Sequence, residues 1–123
     1  MVNYQREQVG VAALASSSAL ISAARGHSQD MATNNFFSHT GSNGSSPFDR
    51  MSAAGFSFSA AAENIYAGSG IYNNPSAAVS AWMGSEGHRT NMLNPTYTYG
   101  GVGYWCNSNS EYGGYYTLNL ATP

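Results

Sequence analysis

The sequence contains unusually little charge. It has no lysine, and only 8% of its 123 residues are charged, against about a quarter in an ordinary soluble domain. The four arginines are scattered and the formal net charge is −2, so the basic surface of a nucleic-acid-binding protein is absent. We therefore expect the few acids and histidines to mark a specific site.

Cysteine and long apolar runs are also scarce. The single cysteine, Cys106, excludes an intramolecular disulfide framework, and its alternation with Val102 and Tyr104 predicts a small buried strand residue. No apolar run approaches the roughly 20 residues that cross a bilayer. The lack of lysine excludes a P-loop, and there is no Gly-x-Ser-x-Gly nucleophile motif.

The length predicts one domain over residues 1–123 that can bury a core without a metal or disulfide. A polar surface made mostly of Ser, Asn, Thr, Gln and Gly is typical of secreted microbial proteins. Met1 stands directly before a helix-like segment, as it would if an initiator methionine had been added to a mature domain whose leader is removed. We therefore expect an extracellular, monomeric domain.

Helical signals fill most of the first three quarters of the chain. Serines 16–18 are candidate N-caps for a helix, and Ser46-Pro47 and Asn74-Pro75 each combine a cap with a proline at the first helical position. The last of these helices is expected to end at Gly87. The predicted buried stripes are Leu20, Ala24, His27 and Met31 in one helix and Val79, Trp82 and Met83 in another.

After Pro95 the apolar residues occur at every second position instead of at helical spacing. Val102, Tyr104 and Cys106 alternate with other residues, and Tyr116, Leu118 and Leu120 do so again after a loop rich in Asn, Ser and Gly. This pattern predicts a β-hairpin with a long loop. Helices followed by a terminal hairpin indicate an α+β fold in which helices cover a small antiparallel sheet.

Three short motifs carry the candidate chemistry. They are Phe36–Gly41 with His39, Ala62–Ile65 with Glu63, and Gly87–Asn91 with His88. Neutral imidazoles bind zinc and similar ions, and a carboxylate can be a third ligand or a catalytic base. The alternative is that both histidines hydrogen-bond Glu63 and brace a cleft wall. His27 lies on a helix inner face and is expected to be a core histidine.

These motifs resemble the CAP superfamily (cysteine-rich secretory proteins, antigen 5 and pathogenesis-related 1 proteins), in its disulfide-free bacterial, SCP-like form. The matching segments occur in family order along nearly the whole chain. They are Ala24–Met31, Phe36–Gly41, Ser45–Pro47, Glu63–Ile65, Trp82–Ser85, Gly87–Pro95 and Gly101–Tyr104.

The resemblance implies a three-layer α-β-α sandwich with a broad cleft that holds two histidines and two acids. His39, Glu63 and His88 match three of these four residues. The position of the second acid is Ser85 here, and its neighbour Glu86 is a candidate substitute. Adjacent helical residues diverge by about 100°, however, so the fourth cleft residue is not assigned.

Three classes of function follow from the resemblance. The first is a binding module for a small apolar ligand, a cell-wall or host surface component, or a divalent metal such as zinc held by His39 and His88. The second is a metal-dependent hydrolase in which Glu63 activates a bound water. The third is a surface interaction protein with a structural cleft. The missing acid favours binding over catalysis, and no cofactor is strictly required.

Overall fold

The computed structural model describes all 123 residues. It contains five α-helices, four β-strands and one short 3₁₀ turn at Gly70–Tyr72. In chain order the elements are α1 (Val2–Gln8), β1 (Ala15–Ser16), α2 (Ser18–Asn34), α3 (Pro47–Ala53), β2 (Ala60–Gly68), α4 (Pro75–Met83), α5 (Glu86–Leu93), β3 (Tyr99–Cys106) and β4 (Gly114–Thr122).

The sheet has the strand order β1-β3-β4-β2. The three long strands are antiparallel, with β4 between β3 and β2. The two-residue strand β1 pairs with the start of β3 in parallel, which makes the sheet mixed. Helices α2 and α3 cover one face, while α1, α4 and α5 lie on the other. The predicted α+β, α-β-α sandwich is therefore confirmed.

The predicted helix starts are confirmed by their caps. Ser17 accepts a hydrogen bond from the backbone of Leu20 at the start of α2, and Asn74 accepts one from Ala77 at the start of α4. Ser46 and Asp49 form a reciprocal capping box in front of α3. These bonds satisfy backbone N–H groups that a helix leaves without intrahelical partners.

The predicted inner stripe of α2 is buried, and it includes His27. The His27 Nε2 atom lies 2.7 Å from the carbonyl oxygen of Ser38, so Nε2 carries the proton and donates it. Burial lowers the pKa of His27, which keeps the ring neutral near pH 7. His27 is the core histidine that the helical spacing predicts.

Trp82 anchors the opposite layer. It is buried with Val79 and Met92 against Leu118 and Leu120 of β4. Its indole nitrogen donates to the Ile65 carbonyl of β2 at 3.0 Å. The packing and the bond together fix α4 on this face of the sheet, next to β2.

Two predictions were wrong. Helix α4 ends at Met83 rather than Gly87, because Arg89 donates to the Met83 carbonyl and Gly87 lies in the first turn of a new helix, α5. Cys106 is exposed rather than buried. Its side chain lies at the far end of β3, on a strand face whose Val102 and Tyr104 are also exposed.

Two glycines let α2 lie directly on β3. A Cβ atom on Gly101 would stand 2.4 Å from the backbone nitrogen of Ile21, and one on Gly103 would stand 2.1 Å from that of Arg25. Contacts this short with helix backbone cannot be relieved by rotating a side chain. The Gly101-x-Gly103 pattern therefore sets the distance between the helix layer and the sheet.

We expect Gly103→Ala to destabilise the fold by about 3 kcal/mol, because the added methyl group forces α2 away from the sheet. The matched control is Gly26→Ala in the same helix, where an added Cβ meets nothing within 4 Å and alanine favours the helix by up to about 1 kcal/mol. Urea unfolding measures both. Equal stability of the two variants would contradict the close packing.

Candidate functional site

The Glu63 carboxylate on β2 is the centre of the candidate site. Its side chain is 1% exposed and both oxygens are hydrogen-bonded. Arg50 Nη2 donates to Oε2 at 2.9 Å and to Oε1 at 3.1 Å, and His39 Nδ1 lies 2.9 Å from Oε1. In the amide orientation that satisfies both of its polar atoms, Asn119 donates to Oε2 at 3.1 Å. Glu63 is thus held by side chains from three other segments.

Arg50 is a site residue that the sequence analysis did not assign. It extends from α3, and besides Glu63 its guanidinium donates to the backbone carbonyls of His39 and Ser45 at 2.9 Å each. One signal was available: a buried glutamate needs a positively charged partner, and this chain has no lysine and only four arginines. Sequence spacing does not say which one.

His39 lies in the loop after α2, and its side chain is 49% exposed. Because the Glu63 carboxylate only accepts hydrogen bonds, the Nδ1 atom of His39 carries the proton. A neutral ring in this tautomer has a free lone pair on Nε2. The carboxylate therefore fixes both the tautomer and the orientation of the ring, as carboxylates do for metal-binding or basic histidines.

His88 approaches from the opposite layer, on α5. The Asn64 side chain, next to Glu63 on β2, donates to the His88 carbonyl at 3.0 Å and accepts from Asn91 at 3.0 Å. Burial lowers the pKa of His88, and the positive charge that His39 can carry lowers it further. His88 is therefore neutral near pH 7.

Ser85 and Glu86 take different places. Ser85 precedes α5 as its N-cap residue and is partly buried. Glu86 is exposed in the first turn of that helix, where its negative charge interacts favourably with the helix dipole. Glu86 makes no ion pair with either His39 or His88, since the ion pairs of the protein are those that Glu63 forms.

An apolar groove of about 330 Å³ adjoins His88. Its aromatic rim includes Phe37 and Tyr112, which are both exposed and whose ring centroids lie 6.1 Å apart. We call it the aromatic groove; its lining residues are Phe37, Ile65, Tyr66, Ala67, Ala81, Trp82, Ser85, His88 and Tyr112. The sequence analysis did not predict it, because its walls come from five separate segments.

The side chains of His39, Glu63 and His88 provide only part of a metal-binding site. No group of three or more His, Cys, Asp or Glu side chains is placed to hold one, whereas catalytic zinc sites use three protein ligands. Glu63 is already bound to Arg50, so it is a poor direct ligand. The Nε2 atom of His39 and the ring of His88 are the donors that these contacts leave for an ion.

Comparison with known proteins decides the family. The model of the CAP family, described as the cysteine-rich secretory protein family, matches residues 1–120. The chain belongs to the CAP family. The protein YkwD of Bacillus subtilis is 43% identical over 104 residues, which is 85% of this chain and 39% of that protein. YlbC, named as a membrane protein of the same organism, is 40% identical over 84% of this chain and 29% of its own length.

Solved structures agree with this assignment. An extracellular protein of Bacillus anthracis that contains an SCP domain matches with a TM-score of 0.84 and 34% identity, over 99% of this chain and 38% of that one. An outer surface protein of Borrelia burgdorferi has a TM-score of 0.80 at 17% identity, over 98% of this chain and 86% of that one, which shows a shared fold. No helix of this CAP domain has the length and apolar character needed to cross a membrane.

We expect Glu63→Gln to lower the free energy of unfolding by about 3 kcal/mol, because it leaves Arg50 partly buried without its counter-charge. The matched control is Glu86→Gln, which removes an exposed carboxylate and should change stability by less than about 0.5 kcal/mol. Chemical unfolding in the presence of a chelator measures both. A loss below about 1 kcal/mol for Glu63→Gln would show that the ion pair is not structural.

Proposed function

We propose that this CAP domain is a secreted binding module whose ligand is a small amphipathic molecule. The apolar part lies in the aromatic groove and the polar end lies at His88 and His39. The observation that carries the proposal is the position of His88, which lines the groove while its backbone carbonyl is held by Asn64, the neighbour of Glu63 on β2. The extracellular and outer-surface descriptions of its structural neighbours support secretion.

The groove has the general character of a small-molecule site. Such sites are concave and mostly apolar, with a few polar groups that fix orientation. Here aromatic and aliphatic side chains form most of the lining, while Ser85 and His88 supply polar groups on one side. The neutral imidazole of His88 can accept a hydrogen bond from a hydroxyl group or donate one to a carboxylate.

The contacts of Glu63 favour binding over hydrolysis. A general base must be free to take a proton from water, and both Glu63 oxygens already accept hydrogen bonds from Arg50. Glu63 therefore acts as a positioning residue for His39. The hydrolase alternative, with Glu63 as the base, receives no support from this arrangement.

Decanol and decanoate are suitable probes, since Trp82 lies in the groove wall and its fluorescence reports occupancy. We expect Phe37→Ser to weaken binding of both probes about tenfold, the equivalent of about 1.4 kcal/mol of lost apolar contact. The matched control is Ile71→Ser, which removes an exposed apolar side chain outside the groove. Equal effects of the two substitutions, or no saturable binding, would contradict the proposal.

A divalent metal is a second candidate ligand, favoured by the orientation that Glu63 imposes on His39. When bound, the metal would supply a positive charge for the polar end of a ligand. Calorimetric titration of chelator-treated protein with zinc tests this. Loss of binding in both His39→Ala and His88→Ala supports a two-histidine site, and retention of binding in either variant contradicts it.

A further inference from the structure

A short segment in the connection between α2 and α3, residues 37–40, contributes to both halves of the candidate site. Phe37 lies on the rim of the aromatic groove, and the side chain of His39 contacts Glu63. Only Ser38 separates the two along the chain. The backbone position of Ser38 therefore affects where both neighbouring side chains lie.

Side chains rather than backbone groups hold this segment in place. None of its backbone groups bonds another backbone group, and the bond from the Thr40 N–H to the Ser38 hydroxyl is internal to the segment. Two donors reach it from the helices. His27 Nε2 donates to the Ser38 carbonyl at 2.7 Å, and Arg50 Nη2 donates to the His39 carbonyl at 2.9 Å. The position of the segment depends on these two bonds.

The bond to Ser38 is the one hydrogen bond that the His27 ring makes. The residue is 1% exposed, and its Nδ1 atom has no hydrogen-bond partner in the protein. Burying a polar group is costly unless it is hydrogen-bonded, and the apolar side chains of Leu20 and Met31 fill other positions of the same helix stripe. Packing alone therefore does not account for a histidine here, whereas the bond to Ser38 does.

Helix α2 is a rigid support for this bond. The helix lies directly on β3 at Gly101 and Gly103, where no Cβ atom fits between them. Asp30 of the same helix accepts hydrogen bonds from the backbone nitrogen and the hydroxyl of Ser42 at 2.8 and 2.6 Å, so the later part of the connection is also held to α2. Binding sites keep a precise geometry when rigid elements support them.

We propose that His27 is a positioning residue for the aromatic groove, because its bond to the Ser38 carbonyl fixes the adjacent Phe37 on the groove rim. The rings of Phe37 and Tyr112, whose centroids lie 6.1 Å apart, are the arrangement that this bond maintains. The inference rests on the proposed function, since it gives His27 a part in binding the same amphipathic ligand.

The two donors divide the work along the segment. Arg50 holds the carbonyl of His39 and also pairs with Glu63, so it fixes the polar end of the site. His27 acts one residue earlier in the chain and does not contact Glu63. Substitution of His27 should therefore affect the groove rim more than the ion pair.

Two substitutions separate the hydrogen bond from the packing of the ring. His27→Gln keeps an amide N–H to donate to the Ser38 carbonyl, whereas His27→Leu keeps an apolar side chain of similar size without a donor. Both remove the edge contact with the Phe36 ring, 6.2 Å away between centroids. The difference between the variants therefore reports the bond. Without it the partly buried carbonyl lacks a partner, and the segment shifts to let water reach it.

The nuclear Overhauser contact between the rings of Phe37 and Tyr112 tests the position of Phe37 without any ligand. We expect wild type and His27→Gln to show this contact and His27→Leu to lose it. Retention in His27→Leu overturns the proposal, and so does loss in both variants, because the ring rather than the bond would then position Phe37. If His27→Leu does not fold, His27→Asn replaces it, since its shorter side chain leaves the amide short of Ser38.

Decanol binding tests the consequence for the groove. We expect His27→Leu to weaken binding about fivefold, less than Phe37→Ser because the ring is displaced rather than removed, and His27→Gln to stay within about twofold of wild type. The matched control is Ala23→Gly, which weakens the same helix without touching Ser38 or the groove. An equal loss of binding in Ala23→Gly would overturn the proposal, because lower stability alone would then explain the effect.

The two measurements separate this inference from the proposed function. If wild type does not bind decanol, the proposed function fails, and the contact between Phe37 and Tyr112 alone decides whether His27 positions the rim. If wild type and His27→Leu bind decanol equally well, the inference fails and the proposed function stands.

Discussion

The ion pair between Glu63 and Arg50 holds together the parts of the candidate site. It joins the edge strand β2 to α3, and through further bonds of the same guanidinium it fixes the loop from His39 to Ser45. A carboxylate removed from water is costly unless it is paired and hydrogen-bonded. Here the pairing comes from Arg50, His39 and Asn119 together. The same contacts that allow Glu63 to be buried also orient His39.

A second arginine also holds separate segments together, but it bonds backbone carbonyls and no carboxylate. Arg6 is 1% exposed and donates to the backbone carbonyls of Ala12, Met92, Asn94 and Tyr97. Burial lowers the pKa of its guanidinium. The Met92 and Asn94 carbonyls lie at the C-terminal end of α5, where a positive charge is favourable. Arg6 thus fixes one end of the helix that carries His88, while Asn64 holds the other end from β2.

The two histidines therefore depend on opposite layers of the sandwich. His39 is positioned by α3 and β2 through Glu63, and His88 is positioned by α5 through Asn64. Adjacent residues of a strand point to opposite faces of a sheet, so Glu63 and Asn64 can each support a different layer. The candidate site therefore draws its residues from both layers at the edge strand β2.

The sequence alone determined much of the fold. The caps at Ser46 and Asn74, the α2 stripe through His27 and the terminal hairpin are local patterns, and local periodicity and capping chemistry specify them before any tertiary contact forms. The sequence also singled out His39, Glu63 and His88, because motif spacing carries over within the CAP family. Their roles as site residues stay predictions.

Only the tertiary structure decided which partners these residues have. Nothing local in the chain pairs Arg50 with Glu63, since the contact depends on how α3 packs against β2. The position of α5 likewise depends on long-range bonds from Asn64 and Arg6 to its backbone, which no local pattern predicts. Cys106 follows an apolar alternation and is nevertheless exposed, because alternation predicts which face a residue shares but not whether another layer covers that face.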